Sequence, residues 1–347
     1  MRGSAGLTIA PLSADRVAEW DGFVLAAEAG TFFHRAGWAG IFRDVFGLEP
    51  HYLFAERDGR IVGVLPLAHQ KSLLFGNALI AAPFCVEGGT LAADDEARAA
   101  LDAAAIALMG KTGASSLEFR SRNATREGWV ARKELYATFA RPLSENDDEN
   151  LKAIPRKQRA VVRKTLTGPL TSEVDRDAVR LFHVYAQSVR NLGTPVFPRK
   201  YFEALLKVFG EDCDVVTILD DGAAVSAVMN FYFRDTVLPY YGGGTAGARK
   251  NGANDFLYWE TMRRAAARGY RRFDFGRSKA GTGAFSFKKN WGFEPQWLEY
   301  EYYLKPGTAM PDKNPNNPKF AALIEVWKRL PLPVANFLGP FLIRGLG

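Results

Sequence analysis

Hydrophobic and polar positions alternate with a period of two in residues 51–69 and again in residues 214–233. Each alternation is interrupted by an Asp-Gly pair, Asp58-Gly59 in the first stretch and Asp221-Gly222 in the second. Such a pair between alternating runs is the usual signal for a tight turn that joins antiparallel strands. The pattern predicts one hairpin in each half, preceded by two helices and followed by a further strand.

An alanine-rich helical pattern follows each predicted hairpin and ends at Gly113 or Gly269, where glycine suits a left-handed helix cap. A short strand comes next, with Phe119 and Phe275 separated by the same 156 residues as the two glycines. The final strands are "ELYATFARPL" and "QWLEYEYYL". An antiparallel hairpin followed by a strand-helix-strand unit implies a mixed sheet with helices on its faces. We therefore predict an α/β chain (α+β, mixed sheets) of two tandem domains related by duplication.

The same reading gives four segments. Residues 1–145 and 172–304 are the predicted domains, and residues 146–171 are a connecting segment in which an acidic run gives way to a basic one. Residues 305–347 begin as a Pro/Asn-rich linker, continue as an amphipathic helix from Phe320 to Arg329, and end as an apolar, proline-broken tail. Such a tail packs on its domain in the simplest interpretation. The alternative is a contact with a membrane surface.

The composition of the chain indicates its cellular location and the charge of its partners. The chain is 47% hydrophobic, yet its longest apolar stretches fall short of the roughly 20 residues that a membrane-spanning helix needs. The N-terminus lacks the apolar region of a secretory signal, so we expect a cytoplasmic protein. Cys85 and Cys213 both lie among apolar residues, as buried thiols do. A net charge of +7 indicates an anionic partner: nucleic acid, a phosphorylated substrate or a membrane surface.

The most promising chemistry lies in "FDFGRSKAGTGAFSFKKNWGFEP", residues 273–295, read as a strand, a glycine-rich loop, a basic turn and a second strand. If the phenylalanines enter the core, Asp274 emerges on the opposite face of the sheet. Arg277 and Ser278 leave the strand end, where ligand clefts of open sheets lie, and Lys288 and Lys289 follow. The alternative is a structural ion pair between the carboxylate and one of these cations.

Two further segments are candidates for substrate binding. "YYGGGTAGARKNGAND" begins with Tyr240 and Tyr241 and precedes a helix for which Asn254 is the predicted N-cap. It is either a mobile loop or a site whose free amides meet an anion. Arg156, Arg159 and Arg163 share one face of a helix that starts after Pro155, which predicts either solvated surface or phosphate binding. The four histidines are scattered, so no metal site is expected. The chain also lacks a Walker loop and a dinucleotide fingerprint, and no bound cofactor is expected.

Taken together, "GANDFLYWETMRRAAARGYRRFDFGRS" and "GAFSFKKNWGFEP" resemble the C-terminal signature of FemAB-type proteins, which have tandem GNAT-type acyltransferase domains. The duplicated layout, "IPRKQRAVVRK" and the "WKRLPLPVANFLGP" tail are similar to the FemAB-related proteins of PEP-CTERM and exopolysaccharide systems. The resemblance covers nearly the whole chain and is most specific in its second half.

The resemblance implies an N-acyltransferase that moves an aminoacyl or related acyl group onto an amine of a cell-envelope or exopolysaccharide precursor. Lys288 or Lys289 matches the family position linked to the transferred acyl group, and Asp274 is a candidate proton acceptor. The donor is aminoacyl-tRNA or acyl-CoA. CoA is disfavoured because the pyrophosphate motif of its users is incomplete in residues 249–254. The acceptor is phosphorylated or lipid-linked, and DNA is not expected.

Two other functions compete with this one. The first is an acyl-CoA-dependent N-acyltransferase on the same fold. The second is a catalytically silent module that docks on polysaccharide or envelope machinery through its basic helix and apolar tail. With the tail at a bilayer, the expected location is the inner face of the membrane.

Overall fold

The computed structural model describes residues 6–72, 76–311 and 318–345. The strands in chain order are β1 Thr8–Pro11, β2 Glu49–Arg57, β3 Arg60–Ser72, β4 Gly76–Ala81, β5 Leu91–Ala92, β6 Ser116–Ser121, β7 Val130–Thr138, β8 Ala140–Pro142, β9 Thr171–Asp175, β10 Cys213–Asp220, β11 Ala223–Phe233, β12 Thr236–Gly244, β13 Arg272–Asp274, β14 Ser278–Lys279 and β15 Gln296–Leu304.

The α-helices are α1 Val17–Ala26, α2 Trp38–Phe46, α3 Asp95–Thr112, α4 Asp147–Ala153, α5 Arg156–Leu166, α6 Ala178–Asn191, α7 Arg199–Phe209, α8 Ala248–Asn251, α9 Ala253–Ala267, α10 Gly283–Asn290, α11 Pro318–Arg329 and α12 Leu332–Ile343. The chain divides into two units. Residues 1–135, 297–313 and 344–347 form the first unit, and residues 136–296 and 314–343 form the second.

Within the first unit the strands follow the order β1-β2-β3-β4-β6-β15-β7. β4 and β6 are parallel. The pairs β1–β2, β2–β3, β3–β4 and β6–β15 are antiparallel. Leu65, Leu67, Leu79 and Leu117 of this sheet pack with Leu101 of α3 in one buried cluster. The alanine-rich helix is therefore held by its apolar side against the sheet.

Within the second unit the order is β9-β10-β11-β12-β13-β8, in which only β12 and β13 are parallel. A buried cluster joins Phe273 and Phe275 around β13 to Trp259 of α9 and to Trp291 and Phe293 beyond α10. Phe273 and Phe275, which were predicted to enter the core, are buried, and Phe285 and Phe287 pack partly buried against this cluster.

The predicted duplication and fold class are confirmed. Each unit has two helices, a hairpin, a third strand, a helix and a strand parallel to the third. Both hairpins turn at the predicted Asp-Gly pairs, with φ of 53° and 74° at Asp58 and Gly59 and 50° and 76° at Asp221 and Gly222. Two successive positive φ values are what a tight turn between right-twisted strands requires.

The last strand of each half lies in the other unit, which differs from the predicted boundaries at residues 145 and 304. β15 pairs with β6 of the first unit, and β8 pairs with β13 of the second. β6 and β13 each pair with one further strand on the same edge. The local residue pattern does not show which of the two similar final strands pairs with which of them. The predicted connecting segment, residues 146–171, forms α4 and α5 and belongs to the second unit.

The tail is helical, as predicted for its first part. α11 contains the predicted segment, and α12 continues through Pro340. Residues 312–317 of the predicted linker lie outside the described residues. Among the described residues, no helix combines the length and the apolar composition needed to cross a bilayer.

Candidate active site

The candidate site lies where β12 and β13 part. Only Thr236 and Val237 of β12 pair with β13, which ends at Asp274 while β12 continues to Gly244. The ring of Tyr240 lies 3.8 Å from the position that a Cβ would take at Gly276. The carboxyl ends of adjacent parallel strands are a common place for ligands in open sheets. The end of this strand pair therefore carries the predicted residues 274–278.

Asp274 is buried and orders the turn that follows β13. Its Oδ1 accepts hydrogen bonds from Thr138 Oγ1 at 2.9 Å and from the backbone amide of Gly276 at 2.8 Å. Gly276 has φ of 66°, a conformation that favours glycine. The carboxylate thus fixes the direction in which the chain leaves the strand.

The short basic turn predicted to carry Lys288 and Lys289 is wrong, because both lysines lie on the helix α10. Thr282 caps the N-terminus of this helix, and its Oγ1 accepts a hydrogen bond from Phe285 N at 3.3 Å. Phe287 meets Trp291 at a ring-centroid distance of 6.0 Å, the i,i+4 contact typical of a helix.

α10 separates the two candidate lysines. Lys288 is buried, and its Nζ donates to the carbonyl oxygens of Gly276 at 2.8 Å and Arg277 at 3.2 Å. Burial lowers the pKa of Lys288 to about 7; Arg277 acts in the same direction and Asp274 opposes it. Lys289 is exposed. Of the two lysines, the structure brings Lys288 to the turn after β13.

Two further predicted residues border this turn. The guanidinium of Arg277 lies over the ring of Tyr136 at 4.6 Å from its centroid, which holds the side chain beside β7. Ser278 pairs with Ala137 in the short β14–β7 ladder. Its buried Oγ has no hydrogen-bond partner among the described residues. A buried hydroxyl of this kind is suited to a ligand.

The glycine-rich run is ordered by close packing, contrary to the mobile-loop interpretation. Gly242, Gly243 and Gly244 belong to β12, and a Cβ at Gly243 would lie 2.5 Å from Ser188 Cβ. Tyr241 is buried, with its hydroxyl 2.6 Å from that of Tyr201. Glycine here lets α6 approach the strand.

Asn254 is not the N-cap of the following helix. α9 begins at Ala253 after Gly252, and Asn254 Oδ1 accepts a hydrogen bond from Ser226 Oγ at 2.7 Å. The amide of Ala253 is bound by Asn251 Oδ1 at 3.1 Å. In the first turn Asp255 accepts from Trp291 Nε1 at 3.0 Å, and burial raises its pKa. A carboxylate and a capped amide make this helix start less suited to a phosphate.

The predicted basic helix is present as α5, directly after Pro155. Arg156 and Arg163 are exposed, and neither makes an ion pair among the described residues. Arg159 is half-buried and donates to the carbonyl of Lys152 at 3.3 Å. The opposite side of α5 packs on α9 through Thr165, beside Gly252. The helix therefore presents uncompensated cations to solvent.

The corresponding strand end in the first unit is filled by its own side chains. Glu118 occupies the place of Asp274, and Arg120 that of Gly276. Arg120 is buried, donates to Glu118 Oε1 at 2.8 Å and to Cys85 O at 2.8 Å, and so closes the position. This ion pair closes the strand end of the first unit, whereas Gly276 leaves the matching position of the second unit without a side chain.

The fold also assembles a group that the sequence missed. Glu49, His51 and His69 each offer a metal-ligand atom within 4.8 Å of the other two. The histidines are scattered along the sequence, and His51 and His69, which are 18 positions apart, form no metal-binding motif. The β2–β3 register, which places Glu49 opposite His69, could have suggested their proximity.

A family model described as an acetyltransferase (GNAT) domain matches residues 151–289, which span α5 to α10. No curated protein sequence matches the chain. Among solved structures, FemX is similar with a TM-score of 0.65 at 16% identity, covering 86% of this chain and 97% of FemX. A tandem GNAT protein from the clavulanic acid biosynthesis pathway gives 0.57 at 16% identity, covering 87% and 100%.

The C-terminal domain of a candidate lysylphosphatidylglycerol synthetase from Agrobacterium fabrum gives a TM-score of 0.54 at 15% identity, covering 83% of this chain and 91% of that one. These likenesses establish a GNAT-like fold that extends over both units. The finding agrees with the fold expected from the FemAB resemblance, whereas the assignment to PEP-CTERM or exopolysaccharide systems is not addressed by it.

Proposed function

We propose that this chain is an N-acyltransferase that moves an aminoacyl group from tRNA to an amine on a phosphorylated or lipid-linked cell-envelope precursor of the peptidoglycan or exopolysaccharide kind. The observation that carries the proposal is the buried Lys288, bound to the turn after β13 with its pKa near neutrality. A lysine whose pKa is strongly perturbed is a candidate for catalysis. The GNAT domain match and the FemX-like fold support acyl transfer as the reaction class.

In the proposed reaction the acceptor amine attacks the acyl carbonyl carbon. The C–N bond forms and the ester C–O bond to the tRNA breaks. The proton lost by the amine ends on the departing ribose oxygen, which leaves as the tRNA hydroxyl. Negative charge develops on the carbonyl oxygen. Lys288 has three N–H donors as an ammonium, of which two bind Gly276 O and Arg277 O. The third stabilises the oxyanion.

The near-neutral pKa of Lys288 means that both protonation states are populated at neutral pH. The neutral amine is therefore a possible proton acceptor for the incoming nucleophile. We assign Asp274 a positioning role, since its Oδ1 holds the turn through Gly276 N, and retain it as the alternative proton acceptor. The proposed substrate-binding groups are Arg277, Ser278, Tyr240, Tyr241 and Asn254.

Two observations favour tRNA over acyl-CoA as the donor. The start of α9 has an amide bound by Asn251 and carries Asp255 in its first turn, which disfavours a CoA pyrophosphate there. The exposed Arg156 and Arg163 on α5 suit a polyphosphate backbone. An acyl-CoA-dependent enzyme on the same fold remains the second candidate, and the non-catalytic docking module is the third.

The tail supports contact with the inner face of a membrane. In α12, Ala335, Gly339 and Ile343 are buried, while Phe337 and Phe341 are 69% and 70% exposed. Their rings stack edge to face at 5.7 Å. Two neighbouring exposed aromatic residues on an apolar helix, in a basic protein, are typical of an interfacial contact. A lipid-linked acceptor would then be presented at the bilayer.

The test supplies the purified chain with a radiolabelled aminoacyl-tRNA pool or acetyl-CoA, together with amine-bearing nucleotide-sugar and lipid-linked precursors. We expect labelled product with aminoacyl-tRNA. Lys288→Met should lower turnover by about 100-fold or more. Lys289→Met, the exposed neighbour, is the matched control and should retain turnover.

The outcomes separate the three candidates. Product with acetyl-CoA alone identifies the acyl-CoA enzyme, and precursor binding without product for any donor identifies the docking module. Full turnover in folded Lys288→Met would remove this lysine from the mechanism.

A further inference from the structure

Glu49, His51 and His69 meet on one face of the first unit's sheet. β2 and β3 pair so that Glu49 lies opposite His69 and His51 opposite Leu67. The imidazole rings of His51 and His69 are 6.2 Å apart between centroids. One ligand atom of each of the three residues lies within 4.8 Å of the other two. The cluster combines two imidazoles with a carboxylate, a donor set common at protein zinc sites.

His51 presents an unused nitrogen to this cluster. Its Nε2 is buried and has no hydrogen-bond partner among the described residues. Glu49 Oε2 lies 3.8 Å from this nitrogen, beyond hydrogen-bond reach.

The hydrogen bonds around His69 determine which of its nitrogens can bind a metal. Asn77 Nδ2 donates to the carbonyl of Gly113 at 3.0 Å, which leaves Asn77 Oδ1 facing His69 Nε2 at 2.6 Å. An amide oxygen only accepts, so Nε2 of His69 carries the proton and Nδ1 keeps its lone pair. Metal-binding histidines are usually fixed in this manner by an acceptor on their second nitrogen.

We propose that Glu49 Oε, His51 Nε2 and His69 Nδ1 form a site for a divalent transition metal, with zinc as the best fit. Bond lengths of about 2.0–2.2 Å and tetrahedral angles place zinc ligands about 3.3 Å apart. The distance of 3.8 Å between His51 Nε2 and Glu49 Oε2 is close to this separation between ligands. The Glu49 side chain is largely exposed at the start of β2, so it can supply the remaining movement.

Three protein ligands leave a fourth position for water or another ligand. All three residues belong to the first unit, whereas the residues proposed for acyl transfer belong to the second. The metal site therefore does not depend on the proposed function, and its test does not use acyl transfer as a readout.

The test titrates ZnCl₂ into the untagged, chelator-treated full chain by calorimetry, with Co²⁺ absorption as a spectroscopic probe. We expect one metal per chain and the intense visible bands of tetrahedral Co²⁺. His51→Gln and Glu49→Gln should weaken zinc binding by at least about tenfold. Asn77→Ala, which removes the acceptor for His69, should weaken it by about 10- to 100-fold.

His183→Gln is the matched control. His183 is a histidine of the second unit that lies 3.0 Å from Gln187 on α6, and its loss should leave binding unchanged. Melting temperatures measured without metal show whether each variant is folded. Should His51→Gln fail to fold, the exposed Glu49 supplies the deciding variant. Absence of zinc binding, or wild-type affinity in both folded ligand variants, would overturn the proposal.

Discussion

Replacement of Lys288 by methionine should change how the stability of the protein depends on pH. In the folded protein the Lys288 ammonium is removed from water and held by two backbone carbonyls. Burial lowers its pKa from 10.5 to about 7. Because the unfolded chain holds this proton more tightly than the folded one, stability rises with pH between the two values.

The size of the effect follows from the two pKa values. At pH 7 the folded lysine is half protonated, and at pH 9 it has lost almost all of its proton while the unfolded lysine retains it. Integration of the linkage relation between these pH values gives about 2 kcal/mol of added stability from this group. Methionine is of similar length and has no proton to exchange, so the variant lacks this increment.

The assay is urea unfolding of wild type, Lys288→Met and Lys289→Met at pH 7, 8 and 9. Other titrating groups are common to all three proteins and cancel in the differences. We expect the stability of wild type relative to Lys288→Met to rise by about 2 kcal/mol from pH 7 to pH 9, while Lys289→Met follows wild type. A difference that stays constant across this range would refute the lowered pKa of Lys288.

Two other surfaces give direct tests. Charge reversal by Arg156→Glu with Arg163→Glu should weaken tRNA binding and reduce the steepness of its salt dependence, measured by filter binding; an unchanged affinity and slope would make α5 ordinary solvated surface. Phe337→Ser with Phe341→Ser should reduce sedimentation with anionic phospholipid vesicles several-fold, whereas Val179→Ser, at an exposed apolar position on α6, should not. Equal sedimentation of all three proteins would contradict the membrane contact.

The local signals in the sequence were sufficient for the turns and the helix ends. Asp58-Gly59 and Asp221-Gly222 adopt the positive φ values that a two-residue hairpin turn needs, and Gly113 caps α3 in the left-handed conformation. These features depend on the conformational freedom of one or two residues, which composition reveals directly. The equal spacing of the two halves then predicted their common topology.

The arrangement of the candidate site was predicted less completely. The sequence selected Asp274, Arg277, Ser278 and the lysine pair, and the structure places Lys288, rather than Lys289, against the turn. Two adjacent lysines differ by about 100° around a helix, so their burial depends on the helical phase of α10. The predicted turn at these lysines specified no helical phase, so the sequence did not show which of the two is buried.

What the sequence determined by itself was the duplicated order of elements, the hairpin turns and the stretch of residues 273–289 that holds the candidate site. Tertiary structure decided which strand completes each sheet, which lysine is buried, and that Glu49, His51 and His69 meet. The physical reason is the separation along the chain of the residues that interact. Turn and cap preferences are energies of neighbouring residues, whereas pairing of β15 with β6, burial of an ammonium and convergence of ligands arise only when distant segments share one packed surface.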